Sequence, residues 1–501
     1  MQNRTIKLLC LFTALIMLLC SCSAGSDDSE AENNTYVDKS EPQTVKISLP
    51  YSAGDSLNPF FAVGKENSAL AFLFCQPLFE IKSDYTAEPA LAESYEAHGT
   101  DITVHLKTAY FSDSSSVTAY DAVYSFNLAK TSPAYSQRLG RVSAAAAVGN
   151  SVVFSFDGVN PLSVNALCFP IVKRDTADSA DDLPIGSGVF VMKGDDTMVI
   201  SSTSQAVSTI NTVELYKINK AEYITNELEV GNFNYLLEEL ADGSYKGINA
   251  QNKTIVLNNL VYLGFNHEYG ALSSAAVRTA IFNAIDRETI SSSAYQGYCK
   301  ATVTPFNPEL YLLKNINLPS VRANLTKSES ILQKMGYSVY NDNGLRTNGE
   351  NVLEFSLTVN SSNSFRTVLA HKVAEELKKI GIRINVDEVS DEVYKSRIAS
   401  GSFQMYIGEV KLTESMDLAP FLGGGASKGI DQKLPFSDAY GRFLKGEITF
   451  EAMLESFYDD MMLVPICYRA GIAAYSSIYI PDFSYAPYNI YGNIENWEVT
   501  K

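Results

Sequence analysis

The chain has 501 residues, of which 46% are hydrophobic and 11% aromatic, and its formal net charge is −18. This composition is typical of a globular protein and excludes a largely disordered chain. The negative charge argues against nucleic acid and anionic lipid head groups as partners, and a chain of this length should divide into two or three domains.

The N-terminal residues predict export. Arg4 and Lys7 precede an apolar run at 8–19 that is too short to cross a bilayer comfortably. A small residue then precedes Cys22, an arrangement that resembles a bacterial lipobox. We therefore predict a lipoprotein signal peptide over residues 1–21 and lipidation of Cys22. An ordinary signal peptide that is cut nearby is the alternative.

The rest of the chain predicts a mixed α/β fold. Residues 22–43 are polar and acidic without apolar periodicity, which is typical of a flexible tether. Alternating apolar residues predict strands at 45–49, 102–106, 353–359 and 382–386, and helical spacing of apolar residues predicts helices at 277–285 and 369–377. The last helix lies between two of the strands, which predicts a βαβ unit.

The cysteines and histidines do not predict a metal site. Four cysteines remain beyond Cys22, and these are Cys75, Cys168, Cys299 and Cys467. They form no CxxC pair, which argues against a zinc site, and the four histidines are scattered. The cysteines pair as disulfides or stay as buried thiols, and we favour thiols because their neighbours are apolar or aromatic. We predict no metal and no cofactor.

Seven sequence motifs in order carry a family resemblance. They lie at residues 55–61, 76–80, 88–95, 111–126, 185–190, 263–266 and 277–287. Together they resemble the extracellular solute-binding proteins of the oligopeptide and dipeptide type (family 5), and the resemblance covers about residues 45–480.

Each motif also has a local structural interpretation. Thr118 and Asp121 have the spacing of a capping box at the start of a helix. Gly186 and Gly188 would allow a tight turn or a close approach to another backbone. The Asp–Arg pair at 286–287 follows a helical pattern and is expected to fix the next turn.

The resemblance implies a periplasmic-binding-protein type II fold, a three-domain clamshell whose first domain is discontinuous. The implied domains are domain I at 44–68, 184–268 and 472–501, domain II at 69–183, and domain III at 269–471. Ligand would bind between domains I and III, which close by a hinge motion.

The resemblance also implies a function and a location. A monomeric, non-enzymatic receptor would capture a small solute, with a short peptide preferred, and deliver it to an ABC permease and ATPase complex. It would be held by its lipid to the outer face of the cytoplasmic membrane, which favours a Gram-positive host, or lie in a periplasm.

The ligand site departs from the family. Peptide-binding relatives carry a tryptophan and an ammonium-binding aspartate after the strand that is here 403–407. This chain has no tryptophan there, and the aspartate is either displaced to Asp417 or replaced by Glu409 or Glu414. The candidate ligand-binding residues are Glu409, Lys411, Asp417, Tyr468 and Arg469. The alternatives are a solvated loop for the first three and hinge packing for the last two.

Other functions remain open at the level of sequence. A ligand sensor that signals to a membrane receptor would need the same cleft. A surface hydrolase would need a nucleophile and a base, yet 186–188 is not GxSxG and the glycine-rich stretch 423–429 is not a phosphate-binding loop. A receptor for a metal chelate or haem would favour histidine or arginine in the cleft.

Overall fold

The computed structural model describes residues 45–241, 243, 245, 247–422 and 434–500. The predicted signal peptide, the lipidation site Cys22, the tether and the glycine-rich stretch at 423–429 lie outside the described residues. Within the described part of the chain, no helix has the length and apolar character that a membrane span needs.

The described residues form both strands and helices. The strands are β1 Lys46–Tyr51, β2 Phe79–Ile81, β3 Ala87–Pro89, β4 Ala92–His98, β5 Asp101–Leu106, β6 Val142–Val148, β7 Ser151–Phe156, β8 Phe190–Met192, β9 Thr197–Ile200, β10 Thr212–Lys217, β11 Tyr235–Glu238, β12 Gln251–Phe265, β13 Cys299–Ala301, β14 Val339–Tyr340, β15 Arg346–Thr347, β16 Glu354–Asn360, β17 Arg383–Val389, β18 Met405–Lys411, β19 Leu463–Tyr475, β20 Ile478–Tyr479 and β21 Glu498–Val499. The helices are α1 Lys65–Phe74, α2 Ala119–Thr131, α3 Ile224–Glu229, α4 Ala275–Ala284, α5 Arg287–Ala294, α6 Leu325–Lys334, α7 Ser364–Lys378, α8 Asp391–Ser400, α9 Ala419–Leu422, α10 Pro435–Leu444 and α11 Phe450–Asp460.

Three larger sheets organise these elements. Two have four strands each, in the orders β1-β10-β9-β8 and β4-β5-β7-β6. The third has the order β11-β19-β12-β18-β16-β17, with β13 pairing with β19. This large sheet joins strands of predicted domains I and III. The division into three domains remains a prediction.

The predicted βαβ unit is confirmed. β16 and β17 pair in parallel, with Glu354 opposite Arg383, and α7 connects them. The apolar face of α7 is fully buried at Leu369, Val373 and Leu377. The strands predicted at 45–49 and 102–106 and the helix predicted at 277–285 are also present, as β1, β5 and α4.

The local interpretations of the motifs are confirmed as well. The Thr118 backbone N–H donates to an Asp121 carboxylate oxygen at 2.8 Å where α2 begins. A Cβ on Gly188 would lie 2.4 Å from the carbonyl oxygen of Leu73, so this position requires glycine. Asp286 caps α5 by accepting from the Thr289 N–H at 2.9 Å.

The four cysteines of the described region are free thiols. Cys75, Cys168 and Cys467 are buried, and Cys299 is half-buried. This agrees with the interpretation as thiols.

A bulge in β12 positions the candidate site. The ladder between β12 and β19 is interrupted between Val256 and Leu260. Asn258 and Asn259 lie in this interruption, and consecutive residues of a strand point to opposite faces of the sheet. The bulge therefore presents one asparagine to each face, and each of them reaches a different buried carboxylate.

Candidate functional site

A cavity of about 340 Å³ lies beside this bulge. One face of α1, the end of β11, the segment after β18 and two loops at 133–138 and 487–491 form its walls. Four aromatic side chains line it, and these are Phe72, Tyr135, Tyr488 and Tyr491. Aromatic rings give a ligand large apolar contact areas, and the tyrosine hydroxyls add polar groups.

The charged side chains that line the cavity come in pairs of opposite sign. Lys65 lies 3.9 Å from Glu66, and Lys411 lies 3.4 Å from Glu239. Both lysines are well exposed, at 43% and 61% of the side chain. These two pairs are loose, since exposed ion pairs with long separations contribute little to stability.

The third pair, Arg138 and Glu414, is different because it is buried. Both Nε and Nη2 of Arg138 donate to Oε2 of Glu414, at 2.8 and 2.7 Å. The side chains are only 9% and 7% exposed. The guanidinium also lies between the rings of Tyr135 and Tyr488, 5.3 and 5.2 Å from their centroids. Two charge-assisted hydrogen bonds and two ring faces fix this arginine in place.

Asn258 connects the same pair to the bulge. Its Nδ2 donates to Oε1 of Glu414 at 3.4 Å, and its Oδ1 accepts from the hydroxyl of Tyr85. Asn165 donates to the backbone carbonyl of Glu414 at 3.0 Å. The segment after β18 is thus held against residues that come from far earlier in the chain.

Glu409 and Arg469 lie together, on the other side of the bulge. Glu409 accepts from Arg366 at 2.6 Å, from Arg469 at 2.8 Å and from Asn259 at 2.9 Å. Its side chain is 7% exposed. Burial alone would raise the pKa of Glu409, but the charges of Arg366 and Arg469 and the hydrogen bonds from Arg366 and Asn259 hold it below its ordinary value.

The remaining predicted site residues have three different environments. Lys411 lines the cavity. Asp417 accepts from the Tyr440 hydroxyl at 2.9 Å and from the Ala419 N–H at 3.0 Å. Tyr468 is fully buried, and its hydroxyl donates to the carbonyl of Pro305 at 2.8 Å. Of the five predicted residues, Lys411 is the one found among the described residues that line this cavity, whereas Asp417 lines a separate cavity of about 610 Å³. The ligand roles of all five remain predictions.

Sequence reasoning missed the cavity residues that come from the first third of the chain. Tyr135 and Arg138 belong to no motif, and Arg138 is separated from Glu414 by 276 positions. Glu414 could be found from the sequence, since it is one of the acidic residues that could replace the ammonium-binding aspartate of the family. No group of three potential metal ligands occurs among the described residues.

Comparison with known proteins identifies the family. The family described as bacterial extracellular solute-binding proteins, family 5 Middle, matches residues 86–428. The chain belongs to this family. The resemblance inferred from the seven motifs is thereby confirmed.

Two named relatives match parts of the chain. The oligopeptide-binding protein AppA of Bacillus subtilis is 27% identical over 231 residues, which are 44% of this chain and 42% of AppA. The nickel-binding protein NikA of Staphylococcus aureus is 23% identical over 337 residues, which are 63% of this chain and 65% of NikA. In both cases the match spans less than two thirds of the relative.

Solved structures share the fold. The periplasmic murein tripeptide-binding protein MppA in its unliganded open form has a TM-score of 0.73 at 17% identity, covering 92% of this chain and 98% of MppA. NikA from Brucella suis in complex with Fe(III)-EDTA has a TM-score of 0.68 at 18% identity, covering 91% of this chain and all of NikA. The prediction of a type II periplasmic-binding fold is confirmed.

Proposed function

We propose that this protein is the solute-binding component of an ABC importer and that it captures a short peptide in the 340 Å³ cavity. It releases the peptide unchanged to a membrane permease that a cytoplasmic ATPase drives. The protein is a receptor, without catalysis of its own. Family membership supports this role, and the cavity is the single observation that carries the ligand assignment.

The composition of the cavity supports a peptide. Its volume is within the range of sites for small organic ligands. Tyrosine and phenylalanine rings suit side chains of varied sequence. The lysines of the loose pairs Lys65–Glu66 and Lys411–Glu239 are exposed and can contact polar groups of a ligand. The relatives AppA and MppA, which are named for peptides, support the same class.

A nickel chelate is the second candidate. It is favoured by the similarity to NikA of Staphylococcus aureus, which is named for nickel. The described residues that line the cavity include neither histidine nor cysteine, so nickel would have to arrive with its own ligands. The peptide is the first choice because AppA, which is named for oligopeptides, is 27% identical over its matched residues, against 23% for NikA.

Export and anchoring complete the proposal. A lipid on Cys22 would keep the receptor on the membrane that holds its permease, which raises the effective concentration of the two partners. Mass spectrometry of the mature protein should show Cys22 as the first residue and a lipid attached to it. A mature N-terminus without lipid on Cys22 would contradict lipid anchoring.

Ligand binding can be tested with the mature protein. Tripeptide mixtures should raise the melting temperature and nickel with histidine should not, because a ligand that binds the native state stabilises it by mass action. The variant S68W places a large ring on the cavity face of α1 and should abolish the shift. S292W, on an exposed position of α5, is the matched control and should keep the shift in melting temperature.

Two outcomes would contradict this proposal. A rise in melting temperature with nickel and histidine alone would favour the chelate over the peptide. Peptide cleavage detected by mass spectrometry would contradict a receptor without catalysis.

A further inference from the structure

The carboxylates that line the cavity differ in how far they are available to a ligand. The side chains of Glu66 and Glu239 are 17% and 21% exposed, and their lysine partners lie 3.9 and 3.4 Å away. Glu414 is 7% exposed and has an arginine partner at 2.7 Å. Glu414 is thus the carboxylate from which a bound ammonium group would gain most, since water screens the other two.

Glu414 has little capacity left for a ligand. Its Oε2 accepts two N–H groups of Arg138, and its Oε1 accepts Asn258 at 3.4 Å. Arg138 is itself held by the rings of Tyr135 and Tyr488 and donates to the carbonyl of Cys168 at 3.4 Å. A ligand ammonium could reach Glu414 only by displacing this arginine and leaving its charge buried without a partner, which is strongly unfavourable.

We propose that Arg138 permanently occupies the place of a ligand ammonium at Glu414, and that the cleft therefore selects peptides whose amino end is uncharged. An acylated or cyclised amino end needs only hydrogen bonds and apolar contact, which the tyrosine side chains that line the cavity provide. This inference rests on the proposed function in one respect, namely that the ligand is a peptide. Arg138 would then be the residue that determines specificity at the amino end.

A paired competition experiment tests this inference. The probe is one mixed-sequence tripeptide library prepared in two forms, with free amino ends and with N-acetylated ends. Retention of each form by the mature protein is compared by mass spectrometry. The wild type should retain the acetylated form about tenfold better or more, because a free ammonium end would lose its hydration without gaining a charged partner.

Three variants show whether Arg138 is responsible. R138M keeps a flexible stem between the rings but frees Glu414, and should shift the ratio toward free amines by about tenfold or more. Adding E414Q to R138M should cancel that shift, because the freed carboxylate is then gone. R141M is the matched control, since Arg141 pairs with Asp157 at 2.7 Å and does not line this cavity, and it should leave the ratio unchanged.

The outcomes separate this inference from the proposed function. A wild type that retains neither form contradicts the peptide assignment, and the inference fails with it. A wild type that retains both forms equally, or prefers free amines, overturns the inference while the peptide assignment stands. That comparison needs no variant, so it decides the matter even where R138M does not fold. An unchanged ratio in folded R138M would equally overturn the role of Arg138.

Discussion

Two buried carboxylates on opposite sides of the same bulge have similar chemistry and different surroundings. Asn259 contacts Glu409, which is paired with two arginines, and neither Glu409 nor those arginines is among the residues lining the cavity. Asn258 contacts Glu414, which has one arginine and forms part of the cavity wall. Adjacent residues of β19 also belong to different clusters. Arg469 pairs with Glu409, whereas Tyr468 packs in another buried cluster that includes Tyr85.

The difference suggests separate roles. The Glu409 cluster ties α7, β18 and β19 together and, through a hydrogen bond of 2.5 Å from Arg469 to the carbonyl of Glu239, reaches the end of β11. It belongs to the interior of the large sheet. The Glu414 cluster joins two distant parts of the chain at a surface that a ligand can touch. We therefore expect the first cluster to govern stability and the second to govern specificity.

We expect the largest loss of stability in the variant E409Q. It would leave Arg366 and Arg469 buried together with two positive charges and no carboxylate, and breaking a buried pair in this way costs about 3–5 kcal/mol of unfolding free energy. Denaturant unfolding measures this. E388Q, at a carboxylate that is 43% exposed beside His371, is the control and should change stability by less than about 0.5 kcal/mol. If E409Q proved as stable as E388Q, the stabilising role of this cluster would be wrong.

E414Q should cost less, about 1–3 kcal/mol, because it affects one arginine and not two, and because the amide oxygen of the glutamine can still accept from Arg138, which also keeps its two ring partners. A double-mutant cycle of E414Q with R138M isolates the interaction between the two side chains. We expect a clear coupling energy together with an altered ligand preference. Independent, additive effects of the two substitutions would argue against the pair as a functional unit.

The contrast between the clusters also defines what the sequence could predict. The alternation in β5 and β16 and the helical spacing in α4 and α7 depend on neighbouring residues, so the elements and the βαβ unit could be read directly. The charges at the end of β18 and after it drew attention to the segment that contributes Lys411 and Glu414 to the cavity wall. Their partners could not be predicted, because Arg366 and Arg138 come from other elements and pairing across 43 and 276 positions leaves no local pattern.

Acid should weaken the fold through Glu409. Its pKa is lowered in the folded protein, so its contribution to stability is complete above its unfolded value of about 4.3 and is lost as the pH falls through the lower folded value. The unfolding free energy of the wild type should therefore fall more steeply below about pH 4.3 than that of E409Q. Unfolding curves at a series of pH values measure both slopes. Parallel curves for the wild type and E409Q would show that Glu409 does not titrate in this way.

We expect the smallest loss of stability in the variant Y468F, which tests the role of Tyr468 in β19. Y468F removes the hydroxyl that donates to the carbonyl of Pro305 but keeps the ring in its buried position. The expected loss is about 1 kcal/mol, the net contribution of one neutral hydrogen bond. Because Tyr468 does not line the cavity, peptide affinity measured by calorimetry should be unchanged once the protein is folded. Reduced affinity with unchanged stability would instead place Tyr468 in contact with ligand and would contradict a purely structural role.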